Sequence, residues 1–263
     1  MIEFARWEQQ ADTLAQSFKS GKPFEMVVLD GLCDETRLLQ LSGQIPDPAD
    51  ANIGKSRDYM FAKNKFEKSS FKELSPLFKE LYDDLVSERF ANLLSKIVGE
   101  TVFIDPTFHG GGIHQGGEGS YLDMHVDFNF HPIQRQWFRN LNVLLYLNPD
   151  WQPEHGGALK LRHRDKPELT VEVPPLFNRC VIMFTRDYTL HGYDAISFPP
   201  GTYRRSMAAY AYSLPDAAAD TAQRTTVWYP ENSGRIKTMI GRNWPILVKI
   251  KNKLFGSATA KNK

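Results

Sequence analysis

The sequence predicts an α+β fold in which helices lead into a β-rich unit of many short strands. Apolar residues recur at helical spacing through residues 1–99, whereas residues 102–213 hold short β-branched, aromatic and apolar runs separated by Gly, Pro and Asp. Many short strands with turn signals between them are typical of a sandwich or barrel. We therefore expect a helical support region at 1–99, a barrel at 100–214 and a basic, helical extension at 215–263, with the N-terminal helices packed on one sheet of the barrel.

The N-terminal region is predicted to contain several helices and one strand. The segment "EFARWEQQADTLAQSFKSG" has helical spacing and stops at Gly21, and "FEMVVLDG" has the composition of a strand. Asp34 is a good N-cap for the short helix "DETRLLQLSGQ". The segment "SFKELSPLFKELYDDLVSERFANLLSKIVGE" predicts two consecutive helices that end near Gly99, while residues 47–70 show no clear period.

The β-rich unit is predicted from nine short runs. They lie in chain order and are separated by turn residues: "VFIDP", "GGGIHQ", "YLDMHVDF", "RNLNVLLYLN", "GGALKLR", "LTVEVP", "CVIMFT", "TLHGYD" and "RRSMAAYAYS".

Composition places the chain among ordinary globular proteins. It is 41% apolar and 24% charged, and its formal charge of +1 gives no general attraction to nucleic acid. Cys33 and Cys180 are too few for a disulfide framework and are expected to be free, buried thiols. The sequence has neither a secretory signal nor a run of eighteen apolar residues, so a cytoplasmic location is the expectation.

The strand-like stretch "YLDMHVDFNF" carries two side chains that can bind a metal. Residues i and i+2 share one face of a strand, so His125 and Asp127 should project together. One imidazole and one carboxylate are two of the three ligands in the 2-His-1-carboxylate site of non-haem iron enzymes. An isolated pair of this kind is more often a surface ion pair or an ordinary hydrogen bond, so a second histidine is required.

Four downstream histidines could supply it, and His191 has the most suitable surroundings. His131 and His155 are expected in loops, and His163 at a charged strand end. His191 follows the apolar run "CVIMF" and the segment "TRDYTL", a position near the end of a buried strand that would face across a barrel. A core histidine without a ligand role is the alternative.

Arginine opens the last strand of the unit. Because side chains alternate along a strand, Arg204 and Arg205 must point to opposite faces. Arg204 shares its face with Ser206 and Ala208, whose small side chains would leave room for a ligand, so we expect Arg204 to face the interior. A guanidinium that remains charged when buried suits recognition of a carboxylate.

These residues, in this order, make the chain resemble the Fe(II)/2-oxoglutarate-dependent dioxygenases. It is most similar to their prolyl 4-hydroxylase-like branch, which includes the hypoxia-factor and ribosomal prolyl hydroxylases. The resemblance covers roughly residues 100–214 and implies a double-stranded β-helix, a jelly-roll or cupin-like barrel. It is carried by six motifs in order: "HVD", "RNLNVLLYLNPDW", "EHGGALKL", "PPLFNRCVIMF", "LHG" and "RRSMAAYAY".

The resemblance implies roles for seven residues. His125, Asp127 and His191 would bind Fe(II), with Arg204 as the main partner of the distal carboxylate of 2-oxoglutarate and Tyr146 as a further partner.

Two more positions match sites around the co-substrate. Asn142 would line the pocket, and Gln115 would make a polar contact to 2-oxoglutarate. A core aromatic is the alternative for Tyr146. Arg139, at the start of the same strand, could touch substrate at the barrel mouth or be a solvated charge.

The implied reaction is hydroxylation of an unactivated C–H bond. It consumes O₂ and converts 2-oxoglutarate to succinate and CO₂, and ascorbate is the reductant that the resemblance suggests. Related halogenases replace the carboxylate ligand with a small residue, so Asp127 favours hydroxylation. The substrate would be a prolyl residue of a peptide or, alternatively, a small molecule such as a free amino acid, a sugar or a natural product.

Two other functions stay open at this point. Nucleic-acid demethylases of the superfamily carry a second arginine six positions after the first, where this chain has Tyr210, so no nucleic-acid partner is expected. A catalytically silent binding or sensor module is the other, although it would have no need of a complete ligand set.

The C-terminal extension is basic and partly apolar. Residues 232–263 hold no Asp or Glu, and Trp244, Leu247, Val248 and Leu254 recur near helical spacing. A terminal helix docked on the domain is one interpretation. Weak contact with an anionic membrane surface or an acidic partner is the other.

Overall fold

The computed structural model describes residues 1–48, 54–55, 58, 60–214, 222–231, 235–244 and 246–247. Its strands form one strongly curled antiparallel sheet with helices against one side. The strands are β1 Met26–Asp30, β2 Gly54–Lys55, β3 Ala62–Lys68, β4 Phe103–Ile104, β5 Gly112–Val126, β6 Phe138–Tyr146, β7 Leu159–His163, β8 Lys166–Val173, β9 Arg179–Phe184, β10 Thr189–Tyr193, β11 Arg204–Ser213 and β12 Val227–Trp228.

Hydrogen bonding runs through the sheet in the order β1-β9-β6-β11-β5-β10-β7-β8. The long strand β5 joins the two halves of the barrel. Its first part pairs with β11 and β3, and its last part pairs with β10 and β12. This curled sheet confirms the double-stranded β-helix expected for the β-rich unit.

The helices are α1 Phe4–Gln9, α2 Ala11–Ser20, α3 Glu35–Ser42, α4 Pro76–Val86, α5 Glu88–Val98 and α6 Arg235–Arg242. Their ends follow local chemistry. The Asp34 carboxylate accepts a hydrogen bond from the Arg37 N–H at 2.8 Å and caps α3. Gly99 ends α5 with φ of 75°, a left-handed conformation that glycine adopts without strain. The first predicted helix is divided between α1 and α2 at Gln10.

The main core lies between the helices and one face of the sheet. Alternate residues of β6, β9 and β11 point to this face, and the apolar sides of the helices pack against them. The core is formed by buried residues that include Phe4, Trp7, Leu14, Phe18, Leu81, Leu85, Phe90, Leu94, Val143, Leu145, Ile182, Met207 and Ala209. The opposite residues of the same strands, such as Tyr146, Val181 and Met183, face the barrel interior.

The region 1–99 contributes strands as well as helices to the fold. Strand β1 lies where "FEMVVLDG" predicts a strand and pairs with β9 in the barrel sheet, whereas β3, which pairs with β5, was not predicted. Residues 47–70 gave no strand signal because β3 is polar and half-buried, so its apolar content does not alternate.

The remaining structural expectations concern the cysteines and the C-terminus. Cys33 and Cys180 are free and buried. None of the described helices is long and apolar enough to cross a membrane. Helix α6 agrees with the predicted C-terminal helix, whereas Val248, Leu254 and the lysines from Lys249 onwards lie outside the described residues.

Candidate functional site

Three side chains that can bind a metal converge inside the barrel. Strands β5 and β10 pair with His125 directly opposite His191, so their rings lie 4.2 Å apart between centroids. Asp127 follows the end of β5, with Oδ1 at 3.6 Å from His125 Nε2 and Oδ2 at 3.4 Å from His191 Nε2. All three residues are buried, and one potential ligand atom from each lies within 4.8 Å of the others.

The imidazoles are oriented to present Nε2 to this cluster. His125 Nδ1 lies 2.9 Å from the carbonyl oxygen of Asp123, which favours a proton on Nδ1 and a lone pair on Nε2. Burial, followed by the neighbouring His125, lowers the pKa of His191 to about 3, so this ring is neutral near pH 7. Trp228 of β12 lies over His125 with ring centroids 4.7 Å apart.

Arg139 is buried against the carboxylate of this cluster. Its Nη2 lies 3.0 Å from Asp127 Oδ2 and donates to Asn142 Oδ1 at 2.6 Å, and its guanidinium stacks 3.6 Å above the Tyr210 ring. Asn142 Nδ2 in turn donates to Asp127 Oδ2 at 2.9 Å. Arg139 is only 2% exposed, so the interpretation of a solvated charge is wrong.

The two carboxylate oxygens of Asp127 have different partners. Oδ2 is held by Arg139 and Asn142, while Oδ1 faces His125. Burial alone would raise the pKa of Asp127, but the nearby Arg139 and His191 hold it well below its ordinary value. Asp127 is therefore a carboxylate, with one oxygen fixed and the other able to bind a metal ion.

A second buried arginine has a different environment. Arg204 Nε donates to the carbonyl oxygen of Gly157 at 2.6 Å, and Nη2 donates to the Tyr146 hydroxyl at 3.5 Å. The guanidinium also lies 4.3 Å from the ring centroid of Tyr193. Gly157 has φ of +74°, and a Cβ there would lie 2.8 Å from Arg204 Cδ, so glycine is needed for this approach. Among the described residues, no carboxylate pairs with Arg204.

One cavity of about 210 Å³ connects these groups. Its walls come from both halves of the barrel and from β3 and β12. The lining residues are Lys65, His114, Gln115, Gly116, Leu122, His125, Asp127, Arg139, Asn142, Leu144, Tyr146, Leu159, His191, Tyr193, Arg204, Ser206, Tyr210, Thr226 and Trp228.

Gln115 lines the cavity, but its side-chain amide is engaged by other residues of the chain. In the pairing of β5 with β11, Gln115 lies opposite Arg205, and Arg204 lies opposite Gly116. Opposite residues of antiparallel strands share a face, so the Gln115 amide points away from Arg204. Its Oε1 accepts from Arg205 Nε at 3.0 Å, and its Nε2 donates to the Pro46 carbonyl at 3.0 Å. The amide is thus already engaged away from the expected co-substrate.

The other histidines do not join the cluster. His155 lies in a short 3-10 helix, and His163 ends β7. His131 lies outside the regular strands, as expected, and is buried, with Nε2 at 3.4 Å from Asp105 Oδ2.

Several cavity residues gave no clear signal in the sequence. Lys65, from the irregular stretch, forms an ion pair of 2.6 Å with Glu67, and His114 lies 4.0 Å from Glu67. Trp228 comes from the C-terminal extension, where the β-branched run "TTVW" was the available sign of a strand. Tyr210 could be placed from alternation, because it shares a strand face with Arg204.

The chemistry of the donor set fits a non-haem iron. Two imidazole nitrogens and one carboxylate oxygen converge at one point on the cavity wall, and the cavity beside them provides the open positions that a 2-His-1-carboxylate site requires. A buried guanidinium with no carboxylate partner in the described chain fits the free carboxylate of a small dicarboxylic acid.

Comparison with known proteins agrees with this geometry. Residues 111–212 match the family model described as the 2OG-Fe(II) oxygenase superfamily. No curated protein matches the sequence.

Three solved structures illustrate the shared fold. A prolyl-4-hydroxylase from Pseudomonas putida is 13% identical, with a TM-score of 0.56 over 78% of this chain and 100% of that chain. A prolyl hydroxylase from Trichoplax adhaerens, in complex with a hypoxia inducible factor oxygen degradation domain peptide, is 15% identical, with a TM-score of 0.58 over 80% of this chain and 92% of that chain. HygX from Streptomyces hygroscopicus, with nickel and 2-oxoglutarate bound, is 11% identical, with a TM-score of 0.52 over 76% of this chain and 85% of that chain.

These identities show the fold, and the family model adds the sequence pattern of the strands that carry the site. Over residues 111–212 the chain is therefore similar in sequence pattern to the 2OG-Fe(II) oxygenase superfamily, and its fold is similar to that of these solved oxygenases.

Proposed function

We propose that this chain is an Fe(II)- and 2-oxoglutarate-dependent hydroxylase of an unactivated C–H bond. One observation carries the proposal: the same cavity holds the His125, Asp127 and His191 cluster and the buried Arg204, which has only neutral partners among the described residues. A metal site and an anion site in one cavity are what a 2-oxo acid oxygenase needs. Once bound, the iron supplies O₂ activation coupled to conversion of 2-oxoglutarate to succinate and CO₂.

The residues of the chain would bind the metal ion and 2-oxoglutarate and orient them in the cavity. His125 and His191 present Nε2 atoms, and Asp127 presents Oδ1, so together they would hold the metal. Arg204 binds the distal carboxylate of 2-oxoglutarate through the donors that Gly157 and Tyr146 leave unused, and the Tyr146 hydroxyl adds a hydrogen bond. The carboxylate of Asp127 favours hydroxylation over halogenation, because it keeps a protein ligand where a halide would bind.

A prolyl residue of a peptide is the substrate class we favour. The support is the likeness of the fold to the Pseudomonas putida and Trichoplax adhaerens prolyl hydroxylases, the second of which is complexed with a peptide. A small molecule is the second candidate, because HygX has also been solved with hygromycin B bound. Nucleic acid is not proposed, since the formal charge is +1 and position 210 is a tyrosine.

The metal and co-substrate sites are tested first without turnover. Purified protein is titrated anaerobically with Fe(II) and then with 2-oxoglutarate by calorimetry, alongside His191→Ala and Arg204→Met. We expect His191→Ala to lose Fe(II) binding and Arg204→Met to retain Fe(II) but bind 2-oxoglutarate weakly. Equal binding of both ligands by all three proteins would contradict the proposal.

The reaction is tested next with a substrate panel. Proline-containing peptides, matched peptides with alanine in place of proline, free amino acids and sugars are each incubated with Fe(II), 2-oxoglutarate and O₂, with and without ascorbate. Succinate release coupled to a mass gain of one oxygen in a proline peptide, and not in its alanine match, supports the prolyl class. The same gain confined to a small molecule supports the second candidate, and ligand binding without turnover of 2-oxoglutarate would indicate a silent module.

A further inference from the structure

The end of β5, beside two of the three proposed metal ligands, has a neighbouring strand on each side. On one side β10 places His191 opposite His125, and on the other side β12 places Trp228 opposite His125. Strand β12 belongs to residues 222–229, here called the C-terminal strap, which follow the barrel in the chain. Without the strap this end of β5 would be an edge of the sheet, with unpaired backbone groups.

Trp228 of the strap packs on the His125 ring. Because residues opposite each other in paired strands share a face, the rings of His191, His125 and Trp228 lie in a row. Their centroids are 4.2 Å and 4.7 Å apart, respectively. The indole also stacks on the buried Phe61, with ring centroids 5.0 Å apart and an angle of 6° between the planes. This row of rings limits rotation of the His125 imidazole.

A second contact of the strap holds the main chain of Asp127. Arg224 Nε and Nη2 both donate to the Asp127 carbonyl oxygen, at 3.2 Å and 3.1 Å. A guanidinium presents its donors in a rigid fork, so these two bonds fix the carbonyl more firmly than one bond from a flexible side chain would. The nearby Asp187 pairs with Arg164, and no carboxylate in the described part of the chain forms an ion pair with Arg224.

The strap is itself fixed to the barrel by Asn129, two residues after Asp127. Asn129 Oδ1 accepts from the Arg224 N–H at 2.7 Å, and Nδ2 donates to the Ala222 carbonyl at 3.0 Å. The Asn129 N–H donates to the Arg224 carbonyl at 3.3 Å, and the side chain is buried. The backbone of Arg224 is therefore held in place, and its guanidinium reaches Asp127 from a fixed point.

We propose that the C-terminal strap positions the metal site, with Arg224 acting on Asp127 and Trp228 acting on His125. This inference rests on the proposed function, because it gives the two residues a role toward the Fe(II) ligands. The side-chain contacts already described hold Asp127 Oδ2, whereas Arg224 holds the main chain of the same residue. Ligands that are held in place before the metal arrives lose less conformational freedom when it binds, so the strap raises metal affinity.

The test measures metal binding without turnover. Full-length protein is titrated anaerobically with Co(II) by calorimetry and visible absorption, because the absorption bands of Co(II) depend on the number and geometry of its ligands. Arg224→Met should weaken Co(II) binding by about tenfold or more and change the spectrum. Arg224→Lys keeps the charge but loses the fork, so its affinity should lie between those of Arg224→Met and the wild type. Urea unfolding of the metal-free variants confirms that each is folded.

The matched control is Arg164→Met. Arg164 lines the same surface cavity as Arg224, and its side chain pairs with Asp165 and Asp187. We expect this variant to keep the Co(II) affinity and spectrum of the wild type. Loss of a nearby cation would by itself favour metal binding, the opposite of the expected result. Binding by Arg224→Met that is as tight as in the wild type or tighter, or an equal loss in Arg164→Met, would overturn the proposal.

The role of Trp228 is tested with two further variants. Trp228→Phe keeps an aromatic ring beside His125 and should bind Co(II) more tightly than Trp228→Leu, which removes the ring. Affinity of Trp228→Leu equal to that of the wild type would overturn this role.

Failure of the proposed function gives a different result. A wild type that binds no Co(II) would overturn both the proposed function and the role of the strap. A wild type that binds Co(II) but does not convert 2-oxoglutarate when supplied with Fe(II) would contradict only the proposed function, since the Co(II) affinities of the variants still decide whether the strap positions the ligands.

Discussion

Two buried arginines line the same cavity and have opposite environments. Arg139 is 2% exposed and lies 3.0 Å from the carboxylate of Asp127, with Asn142 and the Tyr210 ring completing its contacts. Arg204 is 7% exposed, and the partners recorded for its guanidinium are the Gly157 carbonyl, the Tyr146 hydroxyl and aromatic faces, all of them neutral.

This difference in charge pairing suggests that Arg139 has a structural role and that Arg204 binds a ligand. A buried charge is costly unless an opposite charge accompanies it. Arg139 has its counter-charge inside the protein, so it positions Asp127. Arg204 has no counter-charge among the described residues, and under the proposed function the carboxylate of 2-oxoglutarate would supply it.

The largest effect is expected at the proposed metal cluster, which lines the same cavity as both arginines. His125→Ala or His191→Ala removes one of three ligands and should reduce 2-oxoglutarate turnover to background, with the protein still folded. Turnover is followed as succinate release, and circular dichroism checks the fold. Near-wild-type turnover by His125→Ala protein supplied with Fe(II) would show that the metal assignment is wrong.

Arg139→Met should destabilise the protein by about 3–5 kcal/mol, because it leaves the Asp127 carboxylate buried without its cation. Chemical denaturation of metal-free protein gives the free energy of unfolding, and Arg135→Met, at an exposed position nearby, is the matched control.

A double variant tests the cause of this effect. If the penalty comes from an unpaired Asp127, then Arg139→Met/Asp127→Asn should be more stable than Arg139→Met alone. A double variant that is less stable than the single one would mean that Arg139 acts through packing on Tyr210 instead.

Arg204→Met should leave the free energy of unfolding nearly unchanged, since no carboxylate among the described residues loses a partner. It should weaken 2-oxoglutarate binding by about 2–5 kcal/mol, which is seen as a large rise in KM. Arg205→Met is the control, because Arg205 bonds Gln115 on the other face of β11 and should change the KM much less. The reverse ranking of the two KM values would mean that the strand register is wrong by one residue.

The smallest effect is expected at His114, which lies near Lys65 in the wall of the same cavity. Burial, followed by repulsion from Lys65, lowers the pKa of His114 to about 3. An unfolded histidine binds a proton near pH 6.5, so between pH 6.5 and about 3 only the unfolded state takes up this proton. His114 therefore makes the free energy of unfolding fall by up to about 1.4 kcal/mol per pH unit as the pH drops through this window.

His114→Gln should make that decline shallower below pH 6.5 and leave stability near pH 8 little changed. Urea unfolding at a series of pH values compares the two proteins, and His155→Gln, in a 3-10 helix away from the cavity, serves as the control. Parallel curves for wild type and His114→Gln would show that His114 is not held neutral.

Sequence alone determined the features that depend on local periodicity. Alternation along a strand placed Arg204 and Arg205 on opposite faces, and the spacing of apolar residues located α3, α4 and α5. The surroundings of His191 separated it from the three other downstream histidines, and the order of motifs indicated the barrel. Each of these follows from neighbours in the chain, whose relative directions are set by backbone geometry.

Tertiary structure alone decided which distant residues meet. Gln115 shares a face with Arg205, not Arg204, because of the register between β5 and β11. Lys65 reaches the cavity because β3 pairs with β5, and Trp228 covers His125 because β12 returns to the same strand. The partner of Arg139 could not be predicted from the sequence either. A lone arginine at the start of a strand is usually exposed to solvent, and only the fold places this one beside Asp127. Strand pairing joins residues far apart in the chain, and no local pattern encodes that register.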